Sequence, residues 1–445
     1  MKPLPMSEHS ARTNSNDSER SHRVIPGGAH TYSKGDDQFP ANAPGHLEQG
    51  DGVEVLARDG RKFLDWTMGL RSISLGYGIT SVNEAAIAQI RKGSNFGRPS
   101  FIETEYAEEL LDHLPRYAEM VKYAKNGSNV TSAAVKLARA YTGRDYVALC
   151  KDHPFFSFDD WFIGTTVVDA GIPEADRTRS LAFPYGRIEA LEKLFDAHPG
   201  QIACVIMEAA TMADPPAGYL QAVRELCTKH GTVLCIDEMI TGFRWHAQGA
   251  QAHYGIEADL GTFGKGMANG FSFAALVGRR AIMEAGGIKS ARPRVFLLSG
   301  THSAENHAIA AARETLRIFK TEPVVETMWS IGGALVEGLN MVAAEAGVPT
   351  TRFKAQGVAC SPWYAFYEAD GTASMPLRTL FLQEMIKRGV IINYIAPSWS
   401  HKPEHVARTV AAARDSLVVI KQAIDNGAGG LISGPIVKPV FRKFN

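Results

Sequence analysis

The sequence is poor in cysteine, has no long hydrophobic run and carries no excess of either charge. Its five cysteines are an odd number, and Cys150, Cys204 and Cys235 lie in apolar runs typical of strands, which indicates reduced core residues rather than disulfides. No apolar run reaches the roughly 18 residues that a membrane-spanning helix requires. The first twenty residues are polar and contain no hydrophobic signal segment. These absences predict a soluble protein of the cytoplasm.

The balance of charge and the missing motifs exclude several classes of partner. Forty-seven basic side chains balance forty-seven acidic ones, so the formal net charge is +0. No overall field favours nucleic acid or an anionic membrane, and any anion must be bound by a local site. The sequence has no HExxH motif, no paired CxxC motifs and no Walker A spacing of glycines. We therefore expect no metal site, no P-loop, no nucleic-acid partner and no membrane partner.

The length and composition are those of a large globular chain. With 445 residues and 45% hydrophobic side chains, the chain can bury a large core, and its length suggests more than one domain. We expect an N-terminal arm at 1–23, a small domain formed by 24–75 and 323–425, a large domain at 76–322, and a C-terminal tail at 426–445.

Apolar runs of strand length alternate with amphipathic helical segments through the middle of the chain. The predicted strands are at 120–125, 147–150, 180–183, 202–207, 233–236, 260–263 and 295–299. The predicted helices are at 82–92, 104–114, 131–141, 188–197, 223–230, 303–319 and 325–346. A hairpin at 52–66 precedes them. This alternation is typical of βαβ units and predicts an α/β fold with a doubly wound, parallel sheet.

Two chemically important residues stand where neighbouring predicted strands end. The strand at 233–236 runs into Asp237, and the strand at 260–263 runs into Lys265, which lies between two glycines. In open α/β sheets, ligands bind outside the carboxyl ends of the strands. We therefore expect Asp237 and Lys265 to lie in one crevice.

An acid and a lysine in one crevice suit a carbonyl cofactor. A lysine amine whose pKa is lowered from about 10.4 can form a Schiff base with a carbonyl group. Pyridoxal phosphate (PLP) is such a carbonyl compound, and it also needs an acid that keeps its pyridinium nitrogen protonated. Alone, Asp237 would be an ordinary turn cap and Lys265 a solvated loop residue. Together, at two strand ends, they favour a PLP site.

Four segments of the chain resemble a known family. They are IDEMITGFR, GKG, NGSNVTSAAVKLARAYTGRD and FLLSGTHSAENHAIAAARETL. Their order and sequences are similar to those of the class III aminotransferases, PLP-dependent transferases of fold type I, and the early PGG segment is similar to that of glutamate-1-semialdehyde aminomutases. The resemblance extends over 24–419. It implies a large domain with a mostly parallel seven-stranded sheet, in which 274–277 is antiparallel, and a smaller α/β domain from the N- and C-terminal segments.

The resemblance implies that two further segments hold the cofactor. Asn126, Gly127 and Ser128 match a phosphate-binding loop, and they precede a predicted helix whose N-terminus, with roughly half a unit of positive charge, attracts an anion. Outside this context they would be an ordinary helix cap. Phe155 or Phe156 matches the aromatic residue that stacks on the pyridine ring, although such a cluster is ordinarily part of a core.

Three more residues of the cofactor site follow from the resemblance. Glu208 matches a glutamate near the ring oxygen or beside Asp237, and Met239 follows Asp237 in the matching segment. Thr301 matches a threonine that reaches the cofactor phosphate of the neighbouring subunit, so a homodimer with shared active sites is implied. As alternatives, Glu208 forms a salt bridge or caps a helix, and Thr301 caps the helix predicted at 303–319.

The segments that would contact the substrate depart from the family pattern. Lys34 stands in place of the arginine with which the aminomutases bind the substrate carboxylate. Leu70 and Arg71 replace the tryptophan-bearing turn of the family. Lys34 and Arg71 are therefore candidate contacts for a substrate anion, with a surface arginine as the alternative for Arg71. They favour an anionic or ring-bearing acceptor.

The predicted function is the transfer of an amino group from a small-molecule donor to a keto or aldehyde acceptor through a Schiff base on Lys265. In this hypothesis Lys265 moves the substrate proton, and Asp237 stabilises the protonated ring. The first alternative is an aminomutase like those that act on glutamate 1-semialdehyde, which the loss of the family's arginine and tryptophan disfavours. The second is a sugar- or nucleotide-binding protein without PLP, which would not need both residues.

Overall fold

The computed structural model describes residues 17–210, 212–291 and 293–444. The first sixteen residues of the predicted arm at 1–23 thus lie outside the described residues, whereas 17–24 are helical. The described chain divides into two compact units. The smaller unit comprises 17–71, 75–79 and 326–442. The larger unit comprises 72–74, the described residues of 80–325, and 443–444.

Short strands and helices make up both units. The strands are β1 (Leu47–Asp51), β2 (Glu54–Ala57), β3 (Lys62–Asp65), β4 (Met120–Ala124), β5 (Tyr146–Cys150), β6 (Ser180–Phe183), β7 (Ile202–Met207), β8 (Val233–Glu238), β9 (Leu260–Phe263), β10 (Ala274–Gly278), β11 (Phe353–Gln356), β12 (Trp363–Phe366) and β13 (Val390–Ile391).

The helices are α1 (17–24), α2 (Met68–Arg71), α3 (Thr80–Lys92), α4 (Phe101–His113), α5 (Gly127–Thr142), α6 (Asp160–Ile163), α7 (Glu174–Thr178), α8 (Ile188–Ala197), α9 (Tyr219–His230), α10 (Ala250–Tyr254), α11 (Arg280–Met283), α12 (Asn306–Thr321), α13 (Val324–Glu345), α14 (Met375–Lys387) and α15 (Pro403–Asn426). Single 3₁₀ turns occur at Pro26–Gly28, Tyr32–Lys34, Asp36–Gln38, Lys265–Ala268 and Glu284–Gly286. Within the described ranges, no helix combines the length and apolar character needed to cross a membrane.

The larger unit is built on a seven-stranded sheet with the strand order β4-β10-β9-β8-β7-β5-β6. β5 pairs in parallel with β6 and β7, β7 with β8, and β8 with β9, whereas β10 is antiparallel to both β4 and β9. β7 and β8 are buried along their whole length, as is usual for apolar strands covered on both faces. The sheet confirms the predicted mostly parallel fold, including the antiparallel strand.

The strand predicted at 295–299 is wrong. Residues 293–300, all of which the structure describes, form neither a helix nor a strand. Val295 and Leu297 are nevertheless buried in the apolar core of the larger unit, and the N–H of Val295 donates to the carbonyl of Ala285 at 3.0 Å. The alternation of buried and exposed side chains therefore arises in a segment that packs on the core without a partner strand.

Helix α5 has its N-terminus at the carboxyl edge of the sheet. α5 begins after its cap residue Asn126 and ends at Gly143, whose left-handed backbone (φ 69°) suits a residue without a Cβ. Its apolar face, including Val130 and Leu137, is buried in the same core as the sheet. On the larger unit, α12 packs along α3 and α4.

The smaller unit combines strands from distant parts of the chain. Its sheet has the order β1-β2-β3-β13. β2 and β3 form the predicted hairpin, which turns at Asp59 and Gly60, and β13 pairs in parallel with β3, with Val390 opposite Leu64. β11 and β12 form a separate two-stranded sheet, and α14 packs against α15, β12 and β13.

The C-terminal tail packs on the smaller unit. The N–H of Val437 donates to the Thr379 hydroxyl of α14 at 3.0 Å, and the N–H of Lys438 donates to the carbonyl of Asp37 at 2.9 Å. Gln383, buried in α14, also bonds the tail through both ends of its amide. The tail thus joins α14 to the 3₁₀ turn Asp36–Gln38.

Candidate active site

Lys265 follows β9 and begins a 3₁₀ turn. Its backbone is left-handed (φ 38°) and its side chain is half-buried. Both neighbouring glycines are in close contacts. A Cβ at Gly264 would lie 2.7 Å from the Sδ of Met239, and the carbonyl of Gly266 accepts a hydrogen bond from Ser74 Oγ at 2.7 Å. These contacts fix the backbone that carries the lysine.

Asp237 lies at the end of β8, opposite Thr262 in the neighbouring strand β9. Its Oδ1 accepts hydrogen bonds from the Met239 N–H and the Thr262 hydroxyl, both at 2.9 Å, whereas its buried Oδ2 has no hydrogen-bond partner among the described residues. Burial raises the pKa of Asp237, and the Met239 N–H, the charge of Lys265 and the Thr262 hydroxyl oppose this rise. The structure therefore brings Asp237 and Lys265 within electrostatic range at neighbouring strand ends.

Met239 lies between two glycines that come from different loops. Besides the contact with Gly264, a Cβ at Gly127 would lie only 2.9 Å from the Met239 Sδ. Side chains at these two positions would displace Met239 or occupy the space in front of the strand ends. Because the two glycines have no Cβ, the ends of β4, β8 and β9 can lie close together.

The predicted phosphate loop lies at the N-terminus of α5. Asn126 caps the helix, since its Oδ1 accepts the N–H of Asn129 at 3.1 Å. The buried Ser128 accepts the N–H of Phe158 on its Oγ at 3.1 Å. Asn126, Gly127 and Ser128 therefore lie together at the end of a sixteen-residue helix, where the first amide groups lack partners within the helix and favour an anion.

The two candidate aromatic residues differ in exposure. Phe155 is 42% exposed and meets the edge of Phe162 at 5.6 Å between ring centroids. Phe156 is 1% exposed, lies in the core, and accepts a hydrogen bond from Thr131 on its carbonyl at 2.8 Å. Of these two rings, that of Phe155 is the one accessible to solvent.

His153 is a residue that sequence reasoning did not single out. It follows β5, and its Nδ1 accepts the backbone N–H of Glu208 at 2.9 Å. Burial lowers the pKa of His153 to about 3, so the imidazole is neutral and carries its proton on Nε2. Glu208 itself is buried at the end of β7. The sequence signal that could have identified His153 is its position within a few residues of the end of a buried strand.

Thr301 lies in an exposed turn before α12, and its carbonyl accepts the Asn95 Nδ2 at 2.9 Å. The helix predicted from about 303 is present, but α12 begins at Asn306 with Glu305 as its cap residue. The helix-cap alternative for Thr301 is therefore wrong. Its side chain is exposed on the larger unit.

The two candidate substrate contacts lie on the smaller unit. Lys34 ends the 3₁₀ turn Tyr32–Lys34 and is exposed. Arg71 is half-buried, and its guanidinium carbon lies 5.9 Å from the centre of the Tyr394 ring. Arg71 is therefore packed against an aromatic ring and is not a fully exposed surface arginine.

The chain belongs to the class III aminotransferases, since the family model described as "Aminotransferase class-III" matches residues 37–398. The glutamate-1-semialdehyde 2,1-aminomutase of Clostridium tetani (strain Massachusetts / E88) is 31% identical over 399 residues, which cover 85% of this chain and 92% of that protein. The 3-aminobutyryl-CoA aminotransferase of Cloacimonas acidaminovorans (strain Evry) is 29% identical over 418 residues, which cover 91% of this chain and 97% of that protein.

A solved structure has the same fold. The FumI protein of Sphingopyxis sp. MTA144, in its PLP internal aldimine form, is 28% identical and has a TM-score of 0.85, with 93% of this chain and 97% of that chain covered. Together these similarities confirm the predicted family, the fold and the PLP cofactor. The chain is a PLP-dependent aminotransferase that acts on small molecules. The aminomutase alternative is not favoured over this function.

Three features of the larger unit fit PLP. The buried Oδ2 of Asp237, which has no partner in the described part of the chain, can accept the N–H of a pyridinium ring. Lys265 offers an amine close to that carboxylate, and the N-terminus of α5 suits a phosphate. Gly127 and Gly264 leave beside Met239 a space that Cβ atoms would fill.

Proposed function

We propose that Lys265 binds PLP through its Nζ and then acts as the general acid and base of the amino transfer. Bound PLP supplies the electron sink for the carbon from which a proton is removed. With PLP bound, the Nζ of Lys265 would take the proton from the substrate α-carbon as a general base and return a proton as a general acid. The observation that supports this role is the position of Lys265 beside the buried carboxylate of Asp237, at the ends of neighbouring strands.

Asp237 is the residue that keeps the pyridine nitrogen protonated. Its Oδ1 already accepts hydrogen bonds from Met239 and Thr262, so Oδ2 is the atom that would accept the ring N–H. Burial disfavours the ionised carboxylate, and a pyridinium beside it favours that ionised form. Binding of the cofactor and ionisation of Asp237 therefore support each other.

The binding site for the phosphate would be formed by residues of two subunits. Asn126, Gly127 and Ser128 provide the start of α5, and Thr301 of the partner subunit adds its hydroxyl. The exposure of Thr301 supports this arrangement, as do the exposed rings of Phe96 and Phe296, which lie close to Asn95 and Thr301 in the sequence. Exposed apolar rings of this kind favour burial against another protein. We therefore propose a homodimer with shared active sites.

The remaining cofactor contacts are assigned by exposure and position. Phe155 would contact the pyridine ring, because its side chain is accessible, whereas Phe156 lies in the core. Glu208 lies at the end of β7 beside Asp237 of β8, and we assign it to the edge of the ring that carries the oxygen. His153 positions Glu208 through its backbone N–H.

The substrates would be recognised by cationic residues. Lys34 and Arg71 bind the anionic group of an amino donor or of a keto or aldehyde acceptor, which favours anionic or ring-bearing substrates. The enzyme would work in the cytoplasm, because buried free thiols are usual in reducing compartments, and the structure has such thiols at Cys150, Cys204, Cys227 and Cys235.

The visible spectrum of the purified protein tests this function. PLP-loaded wild type should show an absorbance band that disappears when an amino donor such as glutamate is added, and Lys265→Ala should neither form this band nor respond. Lys122→Ala, which removes an exposed lysine from β4 of the same sheet, is the matched control and should behave as wild type. A Lys265→Ala variant that responds to the donor would overturn the assignment. Release of the keto acid distinguishes a transaminase from an aminomutase.

A further inference from the structure

An ion pair joins the predicted phosphate loop to the start of α12. The Nζ of Lys125, the residue before Asn126, donates to the Oε2 of Glu305, the cap residue of α12. The pair is largely buried, with 26% of the lysine side chain and 21% of the glutamate side chain exposed. Lys125 holds the pKa of Glu305 below its usual value, chiefly through this hydrogen bond, although burial opposes the shift. The carboxylate is therefore ionised at neutral pH and paired with a cation.

Neighbouring groups hold both residues of the pair. The carbonyl of Lys125 accepts the Ser272 hydroxyl at 2.7 Å. Glu305 stands at the start of a sixteen-residue helix, and its Oε1 lies 3.3 Å from the Nδ1 of His302. Because these groups are already ordered, forming the ion pair costs less entropy than forming one between two mobile surface side chains. The pair can therefore transmit the position of one segment to the other.

The turn before Glu305 contains Thr301. The N–H of Ser303 donates to the carbonyl of Gly300 at 3.1 Å, and the N–H of Gly300 donates to the Ser303 Oγ at 3.2 Å. The Thr301 carbonyl accepts the Asn95 amide at 2.9 Å. Thr301 thus lies in a closed turn, four residues before the paired carboxylate. The position of Glu305 therefore affects the position of Thr301.

We propose that the Lys125–Glu305 ion pair positions phosphate-binding groups of two active sites at once. Within its own subunit, the pair fixes the backbone that leads into the phosphate loop at Asn126. Through the turn before α12, it fixes Thr301, which contacts the phosphate in the partner subunit. Lys125 and Glu305 are positioning residues, because they act through the loop and the threonine. The inference rests on the proposed function, including the homodimer with shared sites, and adds a connection between those sites.

The ion pair also compensates a negative charge next to the phosphate loop. The carboxylate of Glu305 lies within the reach of a lysine side chain from the residue before Asn126. An unpaired carboxylate at that place repels a phosphate, whereas the pair is neutral overall. Loss of Lys125 should therefore weaken phosphate binding more than loss of Glu305, although either change breaks the same ion pair. A pair with a structural role alone would not show this asymmetry.

The first test compares PLP with pyridoxal, which lacks the phosphate. The dissociation constant of each is measured by titrating the cofactor-free protein and following the visible absorbance band that requires Lys265. Wild type should bind PLP at least about 100-fold more tightly than pyridoxal. Glu305→Gln should reduce this preference about 3- to 10-fold and Lys125→Gln about 10- to 30-fold, with the affinity for pyridoxal unchanged.

Two further variants separate positioning from a structural effect. The double variant Lys125→Gln with Glu305→Gln has no unpaired carboxylate, and its two amides can bond to each other. It should therefore recover part of the preference that Lys125→Gln loses. Glu109→Gln is the matched control, since it removes a carboxylate from the ion pair of Arg313 that joins α12 to α4. It should leave the preference for PLP unchanged.

Mixed dimers show whether one ion pair acts on both sites. One subunit carries Lys265→Ala, so that the visible band comes from the other subunit alone. Glu305→Gln is then placed either in the subunit that keeps Lys265 or in its partner. Either placement should weaken PLP binding about 2- to 5-fold relative to the mixed dimer with Lys265→Ala alone, because each pair supports the loop of one site and the threonine of the other.

Two results would overturn the inference. The first is an unchanged preference for PLP over pyridoxal in Lys125→Gln and Glu305→Gln. The second is a placement of Glu305→Gln in the mixed dimers that leaves the affinity for PLP unchanged. Failure of the proposed function is distinct from both, since Lys265→Ala would then still form the visible band. A wild type that is monomeric in solution refutes the proposed homodimer and the inference with it.

Discussion

Replacing Asp237 with asparagine should stabilise the cofactor-free protein and weaken its binding of PLP. The carboxyl group is buried, and burial raises its pKa. Because this pKa is higher in the folded than in the unfolded chain, the ionisation of Asp237 at neutral pH lowers the free energy of unfolding. Each unit of the rise corresponds to about 1.4 kcal/mol. Hydrogen bonds and Lys265 recover only part of the cost of burial.

Asparagine resembles the protonated acid and keeps an oxygen for the Met239 N–H and the Thr262 hydroxyl. We expect the free energy of unfolding of cofactor-free Asp237→Asn to exceed that of wild type by about 1–3 kcal/mol at neutral pH. The difference should shrink as the pH falls through the raised pKa and disappear below about pH 3, where the acid is protonated in both the folded and the unfolded wild type. In PLP binding we expect the opposite effect, because the neutral asparagine cannot form an ion pair with a pyridinium. The dissociation constant of Asp237→Asn for PLP should rise about 10- to 100-fold.

Urea denaturation of the cofactor-free proteins at several pH values, together with a PLP titration followed by absorbance, measures both effects. Asp259→Asn is the matched control, for which we expect the opposite change in the free energy of unfolding. Its carboxylate pairs with Arg224 at 2.9 Å and with Arg279 at 3.1 Å, so its loss should lower the free energy of unfolding at neutral pH. A cofactor-free Asp237→Asn protein that is no more stable than wild type, or that binds PLP as tightly, would refute the reasoning.

Three other predictions concern the cofactor site. Gly264→Ala places a Cβ 2.7 Å from the Met239 Sδ and should weaken PLP binding about 10-fold or more in a titration; unchanged affinity would mean that the methionine moves aside without cost. Ser128→Ala leaves the backbone N–H of Phe158 without its acceptor and should lower the free energy of unfolding by about 1 kcal/mol, measured by urea denaturation. An unchanged stability would contradict this prediction. Mixed dimers of Thr301→Ala and Lys265→Ala subunits should regain activity that neither parent has, because one site then contains both native residues; mixtures that stay inactive would argue against sharing.

The sequence was most informative where burial is complete. The strands β7, β8 and β9 are short apolar runs covered on both faces, so their positions and their parallel pairing follow from pattern alone, although β8 extends two residues beyond the predicted 233–236. Asp237 and Lys265 stand out because polar residues directly after such runs must lie at the edge of the sheet. The family resemblance then supplied what periodicity cannot, namely the antiparallel direction of β10.

Other features depend on contacts between distant segments and were not predictable. Val295 and Leu297 alternate like a strand, yet they pack on the core without a partner strand in the described chain. Phe155 and Phe156 are identical in type, and only the packed core distinguishes the exposed ring from the buried one. β1 and β11 received no prediction, since each is short and at the edge of its sheet.

The segment Met68–Arg71, in which all four residues have a positive φ, illustrates a limit of local reasoning. Arg71 was a candidate from its position in the sequence, but nothing in Met68–Arg71 predicts its backbone, because only one of its four residues is a glycine. The conformation is imposed by Asp65 and Tyr77, which lie outside the turn. Local propensity therefore opposes the observed backbone at the three residues of this segment that carry a Cβ.

The parallel pairing of β3 with β13 has a consequence for synthesis of the chain. Leu64 and its partner Val390 are separated by more than three hundred residues, which a ribosome adds in roughly 15 to 65 s at ordinary speed. Throughout that interval the β3 edge of the β2–β3 hairpin lacks its partner strand, and the segment 80–325 is completed before that strand is added. Newly made chains therefore expose an open strand edge until residues 390–391 have been added, and such an edge can pair with another chain.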